Sequence, residues 1–231
     1  NPTVVINAVG IIKQKREAEV RRLAIEVNAL FPHLVQAHCR EIGAKLIHFS
    51  TDCVFDGTKG NYAETDSSTA EDVYGKSKYL GEVADGEALT LRTSILGHGI
   101  IPNASLIDWF VGGRHTQVEG FAHAIYSGFP TVFLAKEVVR ILKTHRGLSG
   151  LYHVASAPIS KEDLLSIVRR AYGLDIGITK NESVRIDRSL NGERFSAATG
   201  FEAPSWSHLV ELMYEDYVNH SYYREFHEAN R

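Results

Sequence analysis

Residues 45–57 read KLIHFSTDCVFDG, an apolar run that breaks into two hydroxyls and a carboxylate at Ser50, Thr51 and Asp52. A short continuous apolar run bounded by turn residues is the pattern of a strand covered on both faces, as in a parallel sheet. Working outward, TVVINAV at 3–9 is a second buried run of this kind, and Ala88 to Leu91 gives a third. Between the first two, Val20, Leu23, Ala24, Val27, Leu30, Phe31 and Leu34 recur at helical spacing from Glu19 towards Gly43, and Pro32 is expected to kink or divide that helix. After the KLIHF strand, a polar loop with Gly57, Gly60 and Asn61 leads to a helix carrying YGKSKYLGEV from Tyr74. Strand, helix, strand, helix, strand in this order implies parallel crossovers, and so an α/β fold with a doubly wound parallel sheet.

The second half is organised differently. Thr131 and Ser160 read as helix N-caps, LYHVA at 151–155 reads as a strand between their helices, and a last helix is expected near Ser205, after Pro204. The expected division is residues 1–100 for the sheet domain with its chemistry, and 101–231 mainly for a smaller α+β lobe, some of whose segments return to the sheet domain.

Composition narrows the function classes. The chain has 231 residues, 44% hydrophobic and 23% charged, with a formal net charge of -3, so no basic face for nucleic acid or an anionic membrane is indicated. Two cysteines, Cys39 and Cys53, make no disulfide framework, and their contexts lack metal-ligand spacing. No apolar run approaches the ~18 residues of a membrane span, and the opening NPTVVINAVGII lacks the basic start of a targeting peptide. The expectation is a cytoplasmic protein with small-molecule or protein partners and no metal.

The chemistry centres on Tyr74 and Lys78, four residues apart on one helical face. A phenol is a poor acid or base near neutrality, with a pKa of ~10, and an adjacent ammonium is expected to lower that value and let Tyr74 exchange a proton. Alone, such a pair reads as an exposed helical face. Ser50, Thr51 and Asp52 at the crevice-facing end of a buried strand add hydroxyl donors on the neighbouring element. Together they form the arrangement that polarises a carbonyl while hydride arrives from a nicotinamide.

The segments VINAVG, VNALFPHLV, GAKLIHFSTDCVFDG, YGKSKYLGE, LRTSILG, SGFPT and GLYHVA follow one another in order. The chain thereby resembles the dTDP-4-dehydrorhamnose reductase family, an extended short-chain dehydrogenase group, through to about Leu212. The resemblance implies a Rossmann-like domain and NADPH- or NADH-dependent reduction of a 4-keto-6-deoxy sugar nucleotide. It implies Thr51 as the hydroxyl member, Tyr74 as proton donor to the C4 carbonyl, and Lys78 as the residue that lowers the tyrosine pKa and binds the nicotinamide ribose. It also implies cofactor contacts at Asn7, Ala8, Val9 and Ser50, with Arg92, Thr93, Ser94 and Ile95 approaching the nicotinamide or substrate. Asn7 equally reads as a bridge between strand backbones. Asn28 reads either as a support for Lys78 through water or as a solvent-facing helical residue.

Thr51, Asp52, Cys53 and Tyr74 are implied on the substrate side, with Arg188 and Arg194, and less specifically Arg114, His115 and His123, as candidates for the diphosphate. Cys53 departs from the family, where the reductases usually carry an aromatic and the related dehydratases a second carboxylate. Without that carboxylate, reduction is favoured over dehydration. Cys53 itself reads as a small buried residue. Family analogy implies a homodimer. A non-catalytic regulatory module and a sugar-nucleotide epimerase are the rival readings; intact Thr51, Tyr74 and Lys78 weigh against the first, and no second proton-transfer group supports the other. No glycine-rich phosphate turn follows the first strand, so by family analogy the sequence is expected to begin near the fourth sheet strand, with about 60 residues of cofactor cradle preceding it.

Overall fold

The computed structural model describes residues 1–12, 20–99, 105–220 and 223. In chain order the elements begin with strand β1 (Val4–Asn7), helix α1 (Arg21–Ala24), a π-helical stretch Ile25–Leu30, helix α2 (Phe31–Ile42) and strand β2 (Lys45–Thr51). A 3-10 turn at Asp52–Val54, helix α3 (Val73–Leu80), and strands β3 (Leu89–Thr93) and β4 (Ile95–Leu96) follow. Next come α4 (Leu106–Gly112), β5 (Gln117–Tyr126), β6 (Phe129–Pro130), α5 (Thr131–Thr144) and β7 (Gly150–His153). The described chain closes with β8 (Ile159–Ser160), α6 (Lys161–Ala171), β9 (Gly177–Asp187), α7 (Glu193–Thr199) and α8 (Trp206–Asn219).

Two compact units share these elements. The first comprises residues 1–93, 144–154 and 188–201. Its sheet has the order β1-β2-β3-β7, every pair parallel, which gives the α/β architecture expected from the order of strands and helices. Leu46, Ile47, Leu89 and Leu91 fill its core, and Cys39, Ala44, Val83 and Ala88 join Leu46 beneath Val5, Val35 and Ile42. β1 is less covered than the sequence suggested: it pairs only with β2 among the described residues, and Ile6 is 50% exposed.

The helix before β2 corrects the expected stripe, whose start at Glu19 lies outside the described residues. Ala24, Asn28, Pro32, Gln36 and Cys39 turn inward, whereas Val20, Leu30, Phe31 and Leu34 are exposed. The π-helical stretch is the cause. Its wider turn adds residues per turn, so an apolar stripe counted at ordinary helical spacing leaves the core face. Pro32 follows at the start of α2, lacking the N–H that would reach the carbonyl of Asn28. Gly43, in the left-handed region at φ 69°, ends α2.

α3 packs on this stretch by close approach. A Cβ at Gly81 would lie 1.9 Å from the backbone oxygen of Asn28, and one at Gly75 would lie 2.3 Å from the backbone oxygen of Cys53. Both glycines therefore set how near the helix comes to its neighbours. Gly81→Ala is expected to cost about 3 kcal/mol of stability through this overlap, read as a lowered midpoint in denaturant unfolding.

The second unit comprises residues 94–143, 155–187 and 202–231, of which the described ones build a three-stranded sheet in the order β8-β5-β9 and a parallel pair β4-β6. β5 runs parallel to β9, with a bulge between Phe121 and His123, and antiparallel to β8. Ser160 caps α6 by accepting from the Asp163 N–H, and Ser205 caps α8 by accepting from that of His208. Thr131 differs from expectation: it is the first residue of α5, and its hydroxyl donates to the Leu96 carbonyl. His98 is buried between the Asp108 carboxylate and the Tyr172 hydroxyl, 2.8 Å from each. Among the described residues no helix is long and apolar enough to cross a membrane.

Candidate active site

The parallel register brings Asn7 beside His48 on β1 and β2, and Thr51 beside Thr93 on β2 and β3, at the carboxyl ends of the strands. At that end Thr51 turns the chain into the 3-10 turn, its hydroxyl oxygen accepting from the Cys53 N–H at 3.1 Å and lying 3.1 Å from the Asp52 carboxylate. Asp72 caps α3 by accepting from the Gly75 N–H at 2.7 Å, which fixes the helix start at Val73, one residue before Tyr74. The Thr51 hydroxyl stands by the Tyr74 phenol and acts to lower its pKa. Lys78, buried one turn later, donates from Nζ to the Phe49 carbonyl at 2.7 Å. Thr51, Tyr74 and Lys78 thus converge on the end of β2.

The electrostatics of the tyrosine differ from the simple expectation. Burial raises the Tyr74 pKa above that of a free phenol, and Cys53 adds to the rise; the Thr51 hydroxyl opposes it, and Asp52 and Asp72 reinforce it. The Lys78 ammonium is turned to the Phe49 carbonyl instead of overriding these effects, so Tyr74 is a firmly protonated phenol. Lys78 is itself pushed down to about 8 by burial, against the carboxylate of Glu82, which raises it. Cys53 is pushed up to about 11, mainly by burial and then by Asp52, with Arg188 opposing. At neutral pH it is a thiol.

Asn7 is buried, donates its amide N–H to His48 Nδ1 at 3.1 Å, and accepts at Oδ1 from the Val9 N–H at 3.1 Å. Burial and then Lys78 push His48 down to about 3, so the imidazole is neutral, and its buried Nε2 has no hydrogen-bond partner among the described residues. Ala8 and Val9 are exposed just beyond the end of β1. Asn28 is not solvent-facing: it is 1% exposed, accepts from the Ile11 N–H at 2.8 Å, and donates to the Ile11 carbonyl and to Ser77 Oγ. Ser77 in turn donates to the Tyr74 carbonyl at 3.0 Å.

A scan against family models matches residues 1–219 to the RmlD substrate binding domain. The chain belongs to that family. The dTDP-4-dehydrorhamnose reductase of Salmonella typhimurium is 37% identical over 240 residues, 92% of this chain and 79% of that protein. The reductase of the same name from Burkholderia thailandensis is 38% identical over 98 residues, 40% of this chain, and the chain covers 33% of its length. A solved dTDP-4-dehydrorhamnose reductase from Bacillus anthracis, in complex with NADP, superposes with a TM-score of 0.80 at 22% identity, over 93% of this chain and 81% of that one. That likeness places the parallel sheet of this RmlD-family chain in the Rossmann-like fold.

The remaining predicted residues separate. Arg188 is brought to the cluster: its Nε donates to the Phe55 carbonyl at 2.8 Å, and its charge acts on the Cys53 thiol. Arg194 is not. Its guanidinium stacks over Tyr152, 4.8 Å from the ring centroid, and lies near Gly150 at the amino end of β7, opposite the end of the sheet that carries Thr51. Arg92 is 2% exposed and its guanidinium is committed to Glu82. Ser50 also donates to Glu82, at 2.6 Å. Thr93 is buried at the end of β3, while Ser94, Ile95, Arg114, His115 and His123 belong to the second unit. Glu82, His48 and His153 were not singled out from the sequence; for the two histidines, an imidazole inside an apolar strand was the available signal.

Proposed function

We propose that this chain reduces the C4 ketone of a 4-keto-6-deoxy sugar nucleotide, in the manner of dTDP-4-dehydrorhamnose reductase, with NADPH or NADH. The observation that carries the reading is the convergence of Thr51, Tyr74 and Lys78 on one strand end, with Tyr74 held as a phenol. Reduction of a ketone needs hydride at carbon and a proton at oxygen. The nicotinamide supplies the hydride when bound. Tyr74 gives the proton to the C4 oxygen, Thr51 hydrogen-bonds the phenol and orients the carbonyl, and Lys78 holds the nicotinamide ribose. The donor set fits a dinucleotide: an ammonium and a phenol one helical turn apart stand at the carboxyl end of a parallel strand, beside the exposed backbone of Ala8 and Val9.

Cys53, protonated at neutral pH, supplies no second base for dehydration. Arg188 is the residue of this unit best placed to meet the substrate diphosphate. The reading carries with it a cytoplasmic location and a homodimeric assembly. The test is NADPH and NADH oxidation with enzymatically prepared dTDP-4-dehydrorhamnose, with product identification by mass spectrometry. A reduced sugar two mass units heavier is expected; cofactor oxidation without it, or none with a panel of 4-keto sugar nucleotides, overturns the reading.

A pH dependence follows from Lys78. The ammonium binds the ribose, and it is lost as pH rises through about 8. Cofactor affinity should therefore hold below that pH and fall above it, measured by quenching of protein fluorescence on NADPH addition across pH.

A further inference from the structure

Three strands of the first unit set a polar row across the sheet. Ser50 is in register with Arg92, and Arg92 with His153, so the three side chains stand abreast on β2, β3 and β7. Glu82, just beyond the end of α3, closes the row. Arg92 donates to it through Nε and Nη2, each at 2.6 Å, and Ser50 Oγ donates to the same carboxylate at 2.6 Å. The third arm of Arg92 donates to His153 Nε2 at 3.1 Å, and His153 Nδ1 donates to the Tyr62 carbonyl at 2.9 Å. Burial, and then Arg92, push His153 down to about 3, so it is the neutral acceptor this chain of bonds needs.

Side-chain exposures of 3% for Arg92 and 8% for Glu82 make this a buried ion pair. Such pairs add little to stability over apolar packing, because desolvation offsets the attraction. Position explains the pair better. Lys78 and Glu82 are four residues apart, and they grip consecutive residues of β2, the carbonyl of Phe49 and the hydroxyl of Ser50.

We propose that Glu82, clamped by Arg92 and Ser50, is a positioning residue for Lys78: it pins the carboxyl end of α3 to β2 and β3 and faces its carboxylate to the buried ammonium. The importance of this for turnover rests on the reductase reading; the geometry does not. His48 on β2, which interacts with Lys78, is neutral, and the π-helical stretch presents the uncharged Asn28 to Ser77 beside it. Of the charges in the row, Glu82 is the one that acts on Lys78, and it opposes the effect of burial.

The test is a pH titration of Lys78 by NMR in protein carrying carbon-13 lysine, for the native protein, Glu82→Gln, Glu82→Asp and the double variant Glu82→Gln with Arg92→Gln. Removing the carboxylate should lower the Lys78 midpoint by about one pH unit and move the alkaline loss of NADPH binding down with it. Glu82→Asp, which keeps the charge, should hold the midpoint. If Glu82→Gln fails to fold because it strands the guanidinium, the double variant leaves no unpaired charge and carries the same expectation. A folded carboxylate-free variant whose Lys78 midpoint is unmoved overturns the proposal, and a loss of thermal stability alone, without that shift, does the same. The titration reads Lys78 directly, so it decides this inference whether or not a sugar nucleotide is turned over.

Discussion

Tyr74→Phe is expected to lower kcat by ~100-fold or more while leaving NADPH affinity nearly unchanged, because it deletes the proton donor and keeps the ring. The phenol is raised in pKa chiefly by burial, so it is fully protonated through the neutral range and ready to give a proton in the direction of reduction. The Thr51 hydroxyl keeps its bonds to the Asp52 carboxylate and the Cys53 N–H in the variant, so the strand end retains its partners. Little stability should be lost. Steady-state kinetics with the sugar nucleotide, beside a direct NADPH titration, separate the two effects. Turnover within a few fold of the native rate would remove Tyr74 from the mechanism.

The parts of this site legible in the sequence are those contained in one short segment. A strand ending in Ser50-Thr51-Asp52 and a helix with Tyr74 and Lys78 on one face each declare themselves locally. What stayed hidden depends on register. Arg92, at the end of an apolar strand, read as approaching a ligand; pairing across three strands sets it between Ser50 and His153, and Glu82 closes over it. The tyrosine pKa was misjudged because an adjacent cation was weighed without burial, and the ammonium is in fact turned to a backbone carbonyl. The apolar stripe before β2 failed for a geometric reason, since a π-helical stretch resets the phase that the spacing rule assumes constant. Asn28 sits on that stretch, where its side chain is buried between Ile11 and Ser77.

Lys78→Met should be the more damaging substitution, with cofactor affinity and turnover both falling, kcat/KM by about a thousandfold or more. Methionine fills much of the same volume, so the packing cost is small compared with the loss of function. What disappears is the ammonium, with its bond to the Phe49 carbonyl and its attraction to Glu82. Two consequences separate this variant from Tyr74→Phe. NADPH binding should weaken even without substrate, because the cation that meets the ribose is gone, and it should no longer weaken as pH rises through about 8, since the group that titrates there in the native protein is Lys78. Fluorescence titration of the variant across pH reads both. A flat, weakened profile identifies Lys78 as the titrating group; an alkaline loss of binding that persists in Lys78→Met would assign it to another residue and leave the lysine with a structural role on α3.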